Sequence, residues 1–180
     1  MAASTVAAAR TGERRYRRAV ARLLIVHHSP TELVQSLTDA VVAGANDDEI
    51  DGVEVVVKRA LEADADDVLG ADGYLLGTTA NFGYMSGALK HFFDTIFLQA
   101  GGALSDDGSA AAGGGGKKPF GVWVHGRYDT TGAVRSVLSI VGALPWTQAA
   151  EVLEVLGEVG EDERTSAYEL GGTLAALLME

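Results

Sequence analysis

Short apolar runs alternate along this chain with stretches in which apolar residues recur at every third or fourth position. Runs of four to five residues rich in leucine, β-branched and aromatic side chains predict strands buried on both faces. These runs lie at 23–26, 53–57 and 120–124, with a shorter one at 74–76 that is ended by Gly77 and a fifth strand predicted at 149–156.

Helical spacing fills the segments between these strands. Apolar positions three and four residues apart predict amphipathic helices whose apolar stripe faces a core. The predicted helices cover 33–44, 86–97, 134–141 and 170–178, and 65–69 is a short acidic helix or turn. The aromatic residues of 86–97 fall on that stripe, so core packing explains them.

Strands that alternate with helices imply parallel strands joined by right-handed crossovers. The sequence therefore predicts an α/β fold, a doubly wound five-stranded parallel sheet in the order 2-1-3-4-5 with helices on both faces. In such sheets, ligands bind outside the carboxyl ends of the strands where the strand order reverses. The turns that meet this condition are 27–32, 77–87 and 125–132.

Composition narrows the class of protein. The chain has 180 residues, 47% hydrophobic and 22% charged, which favours one globular domain. Its apolar runs are shorter than a membrane span, and the absence of cysteine excludes thiolate catalysis and iron–sulfur clusters. The four histidines lack the spacing of a metal site, and we expect a cytoplasmic protein without bound metal.

Charge is unevenly distributed. The 14 basic and 25 acidic residues give a net charge of −11, which opposes binding to nucleic acid or anionic membranes. Six of the basic residues are arginines within the first 22 positions, and we interpret residues 1–21 as a disordered basic tail before a domain over 22–180. Residues 99–118 hold 7 glycines and 5 alanines, which predicts a flexible insertion in that domain.

Ser29 and Thr31 stand between the first strand and the first helix. A helix start offers unpaired backbone N–H groups and partial positive charge, so hydroxyl donors at that position favour a phosphate site. The same two side chains are also suited to capping the helix, and their position alone leaves both interpretations open.

The second and third turns have the residue types that a flat ligand requires. Gly77, Gly83 and Gly87 allow close backbone approach, Asn81 offers an amide, and aromatic residues stand at 82 and 84. The third turn, His-Gly-Arg-Tyr-Asp at 125–129, adds a cation and another aromatic ring. Ordinary turn chemistry explains either turn alone, whereas their convergence beside a phosphate site favours a ligand.

Two segments resemble the flavodoxin-like superfamily, and the resemblance extends over about residues 22–178. They are LIVHHS at 24–29 and GTTANFGYMSGALK at 77–90. The second segment is similar to the loop G-T-P-x-x-[FY]-G-x-[MI]-S-[GA]-x-[ML]-K of NAD(P)H-dependent FMN reductases and NAD(P)H:quinone oxidoreductases.

This resemblance implies FMN, with its phosphate in the first turn and its isoalloxazine ring between the second and third turns. No catalytic side chain is implied, because the cofactor supplies the redox chemistry. The implied cofactor-binding residues are Ser29, Pro30, Thr31, Glu32, Leu33 and Val34 in the first turn, Thr78, Thr79, Ala80, Asn81, Phe82, Gly83 and Tyr84 in the second, and His125, Gly126, Arg127 and Tyr128 in the third.

The implied activity is hydride transfer from NAD(P)H to a quinone or similar small acceptor by a homodimer or homotetramer. Three residues depart from the family pattern: Glu32 replaces a glycine, Pro30 removes an N–H, and Thr79 replaces a proline. Two alternatives stay open: an electron carrier without NAD(P)H turnover, which suits the acidic surface, and a flavodoxin-like binding module without cofactor.

Overall fold

The computed structural model describes residues 20–102 and 117–179, which contain seven strands and five helices. The strands are β1 (Ala21–His27), β2 (Val53–Arg59), β3 (Gly73–Asn81), β4 (Tyr84–Met85), β5 (Lys118–Gly126), β6 (Trp146–Gln148) and β7 (Leu153–Leu156). The helices are α1 (Glu32–Ala45), α2 (Ala65–Leu69), α3 (Gly87–Ile96), α4 (Thr131–Val141) and α5 (Glu161–Leu178). Residues 1–19 and 103–116 lie outside the described residues, so the basic tail and most of the flexible insertion stay predictions.

The parallel strands follow the order β2-β1-β3-β5-β6, with β7 also paired to β5. This confirms the doubly wound α/β sheet and the predicted order, since β5 is the fourth predicted strand and β7, which pairs with β5, is the fifth. The strand order reverses between β1 and β3, which places the candidate site at their carboxyl ends.

Three details of the predicted strands and helices were wrong. The third strand does not end at Gly77 but continues to Asn81, because the family-like turn begins as strand and then folds back through β4, which pairs antiparallel with β3. The predicted fifth strand over 149–156 is shorter, since β7 begins at Leu153, and a separate strand, β6, precedes the predicted range; β6 and β7 pair with opposite ends of β5. Helix α5 starts at Glu161, well before its apolar stripe, because its first turns are polar and exposed.

Neighbouring residues of β1 face opposite sides of the sheet, as the two-residue period of a strand requires. Leu24 and Val26 join the core beneath α3 and α4, whereas Leu23 and Ile25 join the core beneath α1 and α5. All four side chains are fully buried. The continuous apolar run therefore reflects a strand covered by helices on both faces.

Helices α1 and α5 pack in direct backbone contact. A Cβ atom at Gly44 would lie 1.9 Å from the carbonyl oxygen of Tyr168, and one at Gly171 would lie 2.0 Å from that of Val41. This contact holds α1, and with it the first turn, against the sheet. Within residues 20–102 and 117–179, none of the helices combines the length and apolarity that crossing a bilayer requires.

Candidate functional site

The three predicted turns meet at one rim of the sheet. His27 of β1 is in register with Gly77 of β3, and the backbone N–H of His28 donates to the Gly77 carbonyl at 2.9 Å. Thr79 of β3 is in register with His125 of β5. The carboxyl ends of the three central strands, from which the turns leave, are therefore adjacent.

Thr31 caps the first helix. Its Oγ1 accepts a hydrogen bond from the Val34 N–H at 3.3 Å, and its carbonyl accepts from Gln35 N–H at 2.8 Å. Because a hydroxyl has one proton as well as acceptor lone pairs, Thr31 Oγ1 can still donate to a ligand. Glu32, the first residue of α1, is exposed, as is Pro30, whereas Val34 is buried.

Ser29 belongs to a hydrogen-bonded chain inside the protein. Its Oγ lies 2.9 Å from Nδ1 of His27 and 2.6 Å from Oγ1 of Thr38, and Thr38 Oγ1 also donates to the Val34 carbonyl at 3.4 Å. With Thr38 donating to that carbonyl, Ser29 donates to Thr38 and accepts from His27 Nδ1–H. The Ser29 hydroxyl thus orients the His27 ring, and its own proton is already engaged.

Thr78 and Ser86 shape the second turn from within. The Ser86 N–H donates to Thr78 Oγ1 at 3.0 Å, and the Thr78 hydroxyl in turn donates to the Thr79 carbonyl at 3.1 Å. Ser86 Oγ accepts from the Leu89 N–H at 3.2 Å and caps α3. Both hydroxyls are buried and act as scaffold.

The tip of the second turn is a two-residue hairpin loop. Asn81 pairs with Tyr84, and Phe82 and Gly83 between them have φ angles of 50° and 76°. Two consecutive residues of positive φ are typical of a type I′ turn, which matches the twist of the flanking strands but is unfavourable for a bulky side chain. Phe82 is fully exposed at this tip, and Tyr84 is 45% exposed.

Thr79 differs from the neighbouring hydroxyl residues. Its Oγ1 is enclosed and has no hydrogen-bond partner among the described residues, although the side chain is 8% exposed. An unpaired buried hydroxyl costs about 1–3 kcal/mol, so such an atom at the rim of three turns indicates a missing polar partner.

In the third turn, His125 has a defined tautomer. Its Nε2 lies 2.8 Å from the Gly157 carbonyl, which only accepts, so Nε2 carries the proton. Arg127 Nε donates to the Tyr128 hydroxyl at 3.0 Å, and the guanidinium lies 5.5 Å from the centre of the same ring. The Tyr128 side chain, 84% exposed, is therefore held by its neighbour while it faces solvent.

Asp129 and Thr130 fix the path from the third turn into α4. Asp129 Oδ1 accepts from the Thr131 N–H at 3.0 Å, and hydrogen bonds from Thr131 lower the pKa of the Asp129 carboxyl. The Thr130 hydroxyl donates to Glu154 on β7. At Gly132 a Cβ atom would lie 2.0 Å from the Gly83 carbonyl oxygen, so the tip of the second turn packs against the start of α4.

A cavity of about 270 Å³ brings the first and third turns together. It is lined by Leu33, His125, Arg127 and Tyr128, which were predicted, and by Gly157 and Glu158, which were not. Gly157 and Glu158 were not predicted, because they follow the fifth strand, whereas the predicted turns follow the first, third and fourth strands. Gly157 follows an apolar run and has a φ of 76°, and a glycine at a strand end was the signal that could have found it.

Ser29 and Pro30 line a different cavity of about 380 Å³, together with residues 27, 28 and 59–62. This cavity lies between the turns that follow β1 and β2, on the side of β1 away from β3. The predicted first turn therefore borders two cavities, and Thr78 to Tyr84 of the second turn are not among the residues that line either one.

Comparison with known proteins supports the fold. No family model matches the chain. A stretch of 75 residues, 42% of the chain, is 33% identical to flavodoxin of Aquifex aeolicus (strain VF5), and this match spans 40% of that protein's length.

Solved structures extend the similarity to most of the chain. An archaeal flavodoxin superposes with a TM-score of 0.71 at 15% identity, over 88% of this chain and 99% of that one. Flavodoxin of Streptococcus pneumoniae TIGR4 gives 0.64 at 22% identity, over 87% and 99%. The flavodoxin, WrbA-like protein of Agrobacterium tumefaciens gives 0.61 at 16%, over 88% and 97%. The strand order, the two helical layers and these superpositions together assign the chain the flavodoxin-like fold.

Proposed function

We propose that this protein binds FMN at the rim formed by the three turns and transfers electrons through it. The observation that carries the proposal is the juxtaposition of Thr79 Oγ1, which is enclosed and has no hydrogen-bond partner within residues 20–102 and 117–179, with His125 in the adjacent strand register. FMN also accords with the flavodoxins that share the fold.

The residues present fit the group. Leu33, His125, Arg127 and Tyr128 border a cavity, and Thr31 keeps a hydroxyl proton beside the start of α1 for the phosphate. A Cβ atom at Gly83 or Gly87 would meet no atom within 4 Å, so open space adjoins the second turn. In this proposal the first turn holds the phosphate, and the second and third turns hold the ring.

When bound, FMN supplies the redox chemistry, and the protein supplies position and electrostatics. Phe82 and Tyr128 are exposed aromatic side chains suited to contact with a flat ring. With Nε2–H donating to the Gly157 carbonyl, Nδ1 is the ring nitrogen of His125 that is left to contact a ligand. Thr79 gains a partner in the bound state, which offsets the cost of its enclosed hydroxyl.

Among redox functions, we favour an electron carrier. The net charge of −11 suits transient docking on a basic partner, and exposed aromatic residues at the rim place the site where such a partner can reach it. The second candidate is reduction of a quinone or similar small acceptor by NAD(P)H. It is favoured by the segment at 77–90, which resembles the loop of NAD(P)H-dependent reductases.

Flavin fluorescence and the visible spectrum test FMN binding in the purified full-length protein. We expect a dissociation constant of tens of micromolar or tighter. No binding in this range would refute both redox functions and leave a binding module without cofactor. For the loaded protein, steady oxidation of NADH or NADPH with excess quinone would establish the reductase, whereas its absence together with reversible electron exchange with a basic redox protein would establish the carrier.

Glu32 gives a charge test of the phosphate position. A carboxylate about 5 Å from a phosphate costs on the order of 1 kcal/mol near a protein surface, so Glu32→Gln should tighten FMN binding about fivefold. Glu161→Gln is the matched control, because Glu161 is likewise the exposed first residue of a helix, α5. Equal affinities of the two variants would show that the phosphate does not lie at the start of α1.

A further inference from the structure

The cavity between the turns after β1 and β2 is the larger of the two that border the first turn, at about 380 Å³ against 270 Å³. It is formed by residues 27–30 and 59–62. We refer to it as the β1–β2 cavity. Both cavities border the first turn, but the proposed flavin site uses Thr31 and Leu33, whereas this cavity is lined by residues 27–30 and lies on the other side of β1.

Hydrogen-bonding groups with one cation make up most of the polar lining of the β1–β2 cavity. Arg59 is exposed and forms no salt bridge among the described residues, and two imidazoles, those of His27 and His28, accompany it. Glu62 contributes the single carboxylate of the lining. The charges of Arg59 and Glu62 balance, so the lining lacks the acidic excess of the chain as a whole, whose net charge is −11.

The position of the His27 ring is fixed by burial and by hydrogen bonds. Its side chain is buried to 6% exposure, and its Nδ1 is fixed by Ser29, which is itself fixed by Thr38. Nε2 has no hydrogen-bond partner among the described residues. Within the described residues, the unpaired polar side-chain atoms that are fully enclosed are Thr79 Oγ1 and Trp123 Nε1. His27 Nε2 is not one of them, so it is in contact with open space. A polar atom in this state fits a ligand that the cavity admits.

The remaining wall is apolar. Pro30, Ala60 and Leu61 line the cavity, and Leu61 is 65% exposed although it is a large aliphatic side chain. The cavity is several times larger than an inorganic oxyanion needs, and its size falls in the range of small-molecule sites. An anionic group with a small apolar body therefore matches both parts of the lining.

We propose that the β1–β2 cavity is a second ligand site that binds a small phosphate monoester. The phosphate contacts the Arg59 guanidinium and the rings of His27 and His28. Because Nδ1 of His27 already donates to Ser29, His27 takes up a proton at Nε2 on binding and donates it to a phosphate oxygen. The organic body lies against Pro30, Ala60 and Leu61. Arginine suits this role because its planar donors match the oxygens of a phosphate. Glu62 disfavours more highly charged ligands and can accept a hydrogen bond from the organic part.

The probes are inorganic phosphate and phenyl phosphate, added to the full-length protein while the histidine ring protons are followed by NMR. The rings are assigned with His27→Gln and His28→Gln, and exposed His91 is the internal reference. We expect both probes to shift the His27 and His28 signals and to raise the pKa of His27, which burial, Arg59 and His28 lower and which Asp39 and Glu62 partly raise again. Phenyl phosphate should bind about tenfold more tightly than phosphate, because one ring is partly buried.

Arg59→Gln should weaken binding of both probes about tenfold or more, as loss of a charge-assisted hydrogen bond predicts. Arg135→Gln is the matched control, since Arg135 is equally exposed and lies on α4 outside this cavity. Absence of shifts, or equal weakening by the two variants, would overturn the proposal. Equal affinity of phosphate and phenyl phosphate would overturn the part that assigns an organic body to the ligand.

FMN affinity of the same variants separates this proposal from the proposed function. Arg59→Gln should leave FMN affinity within about twofold, the ordinary range for a distant surface substitution. A large loss would show that the β1–β2 cavity is part of the flavin phosphate site, which overturns a separate site. Phosphate binding without any FMN binding would instead refute the proposed function and support the β1–β2 cavity as a site in its own right.

Discussion

The first and second turns use the same kind of side chain in opposite ways. In the first turn, the Ser29 hydroxyl bonds to Thr38 of α1 and holds His27, whereas in the second turn the Thr79 hydroxyl is enclosed and finds no partner in the described part of the chain. A satisfied hydroxyl stabilises the folded protein, and an unsatisfied one costs stability until something binds. Residue type alone does not distinguish a hydroxyl that supports the fold from one that contacts a ligand. Whether the hydroxyl already has a hydrogen-bond partner does distinguish them.

The largest expected effect concerns the strand that supports the second turn. A Cβ atom at Gly77 would lie 2.0 Å from the indole ring of Trp123, which is fully buried, so neither can move aside easily. Gly77→Ala should lower the free energy of unfolding by about 3 kcal/mol, the upper end of what overpacking costs. Denaturant unfolding measures this change.

Gly87→Ala is the control for Gly77→Ala, because a Cβ atom at Gly87 meets no atom within 4 Å. Gly87 is the first residue of α3, so an alanine there should change the free energy of unfolding by less than about 1 kcal/mol. Similar losses in both variants would contradict the assignment of the effect to the Trp123 contact.

Thr38→Val and Thr79→Val test the comparison of the two turns directly. The change at Thr38 removes its hydrogen bonds with Ser29 and Val34, so it should cost about 1–2 kcal/mol of unfolding free energy. The change at Thr79 removes a hydroxyl that bonds to nothing in the described residues, so stability should stay equal or rise slightly.

Under the proposed function, the Thr79→Val change lowers FMN affinity although it does not lower stability. Thr79→Val should weaken FMN binding about tenfold, because the hydroxyl finds its partner only in the complex. Thr147→Val, an exposed threonine at the opposite end of the sheet, is the control and should leave affinity unchanged. A stable Thr79→Val protein with normal FMN affinity would remove the observation on which the flavin site depends.

The third prediction concerns the tip of the second turn. Phe82 has a φ of 50°, which is strained for an aromatic residue, while asparagine followed by glycine is favoured in a type I′ turn. Phe82→Asn should therefore raise the free energy of unfolding by about 1 kcal/mol and weaken FMN binding or partner docking. Lower stability in this variant would show that the exposed ring makes contacts that outweigh its backbone strain.

The same contrasts explain how far the sequence could predict this molecule. Continuous apolar runs and helical spacing identified the strands, since burial on both faces leaves a strong pattern, as at 23–26, and the strand order followed from the number of strands and the chain length. The separate strand β6 and the extension of β3 to Asn81 left no such pattern, because β-pairing partners decide them. The local motif predicted Thr79 as a site residue. It could not predict that the Thr79 hydroxyl lacks a hydrogen-bond partner among the described residues, because that depends on the atoms around it in the folded protein.

The β1–β2 cavity was missed for a related reason. Arg59 and His27 are 32 positions apart, and only the parallel register of β1 with β2 makes them neighbours. The predicted site lay at the strand ends where the strand order reverses, and β2 is not one of those strands.

The smallest expected effect is a pH dependence of stability that arises in the first turn. Burial lowers the pKa of His27 below its ordinary 6.5, and the charge of Arg59 lowers it further. The unfolded chain then binds more protons than the folded one as pH falls through 6.5, so the free energy of unfolding falls until His27 is protonated in the folded state as well. His27→Asn should flatten this part of the pH profile in denaturant unfolding, whereas His91→Asn, at an exposed position on α3, should keep it. A profile unchanged by His27→Asn would show that folding does not lower the pKa of His27. The hydrogen bonds of Ser29 and Thr38 would then not enclose the His27 ring, and the contrast with the second turn would be lost.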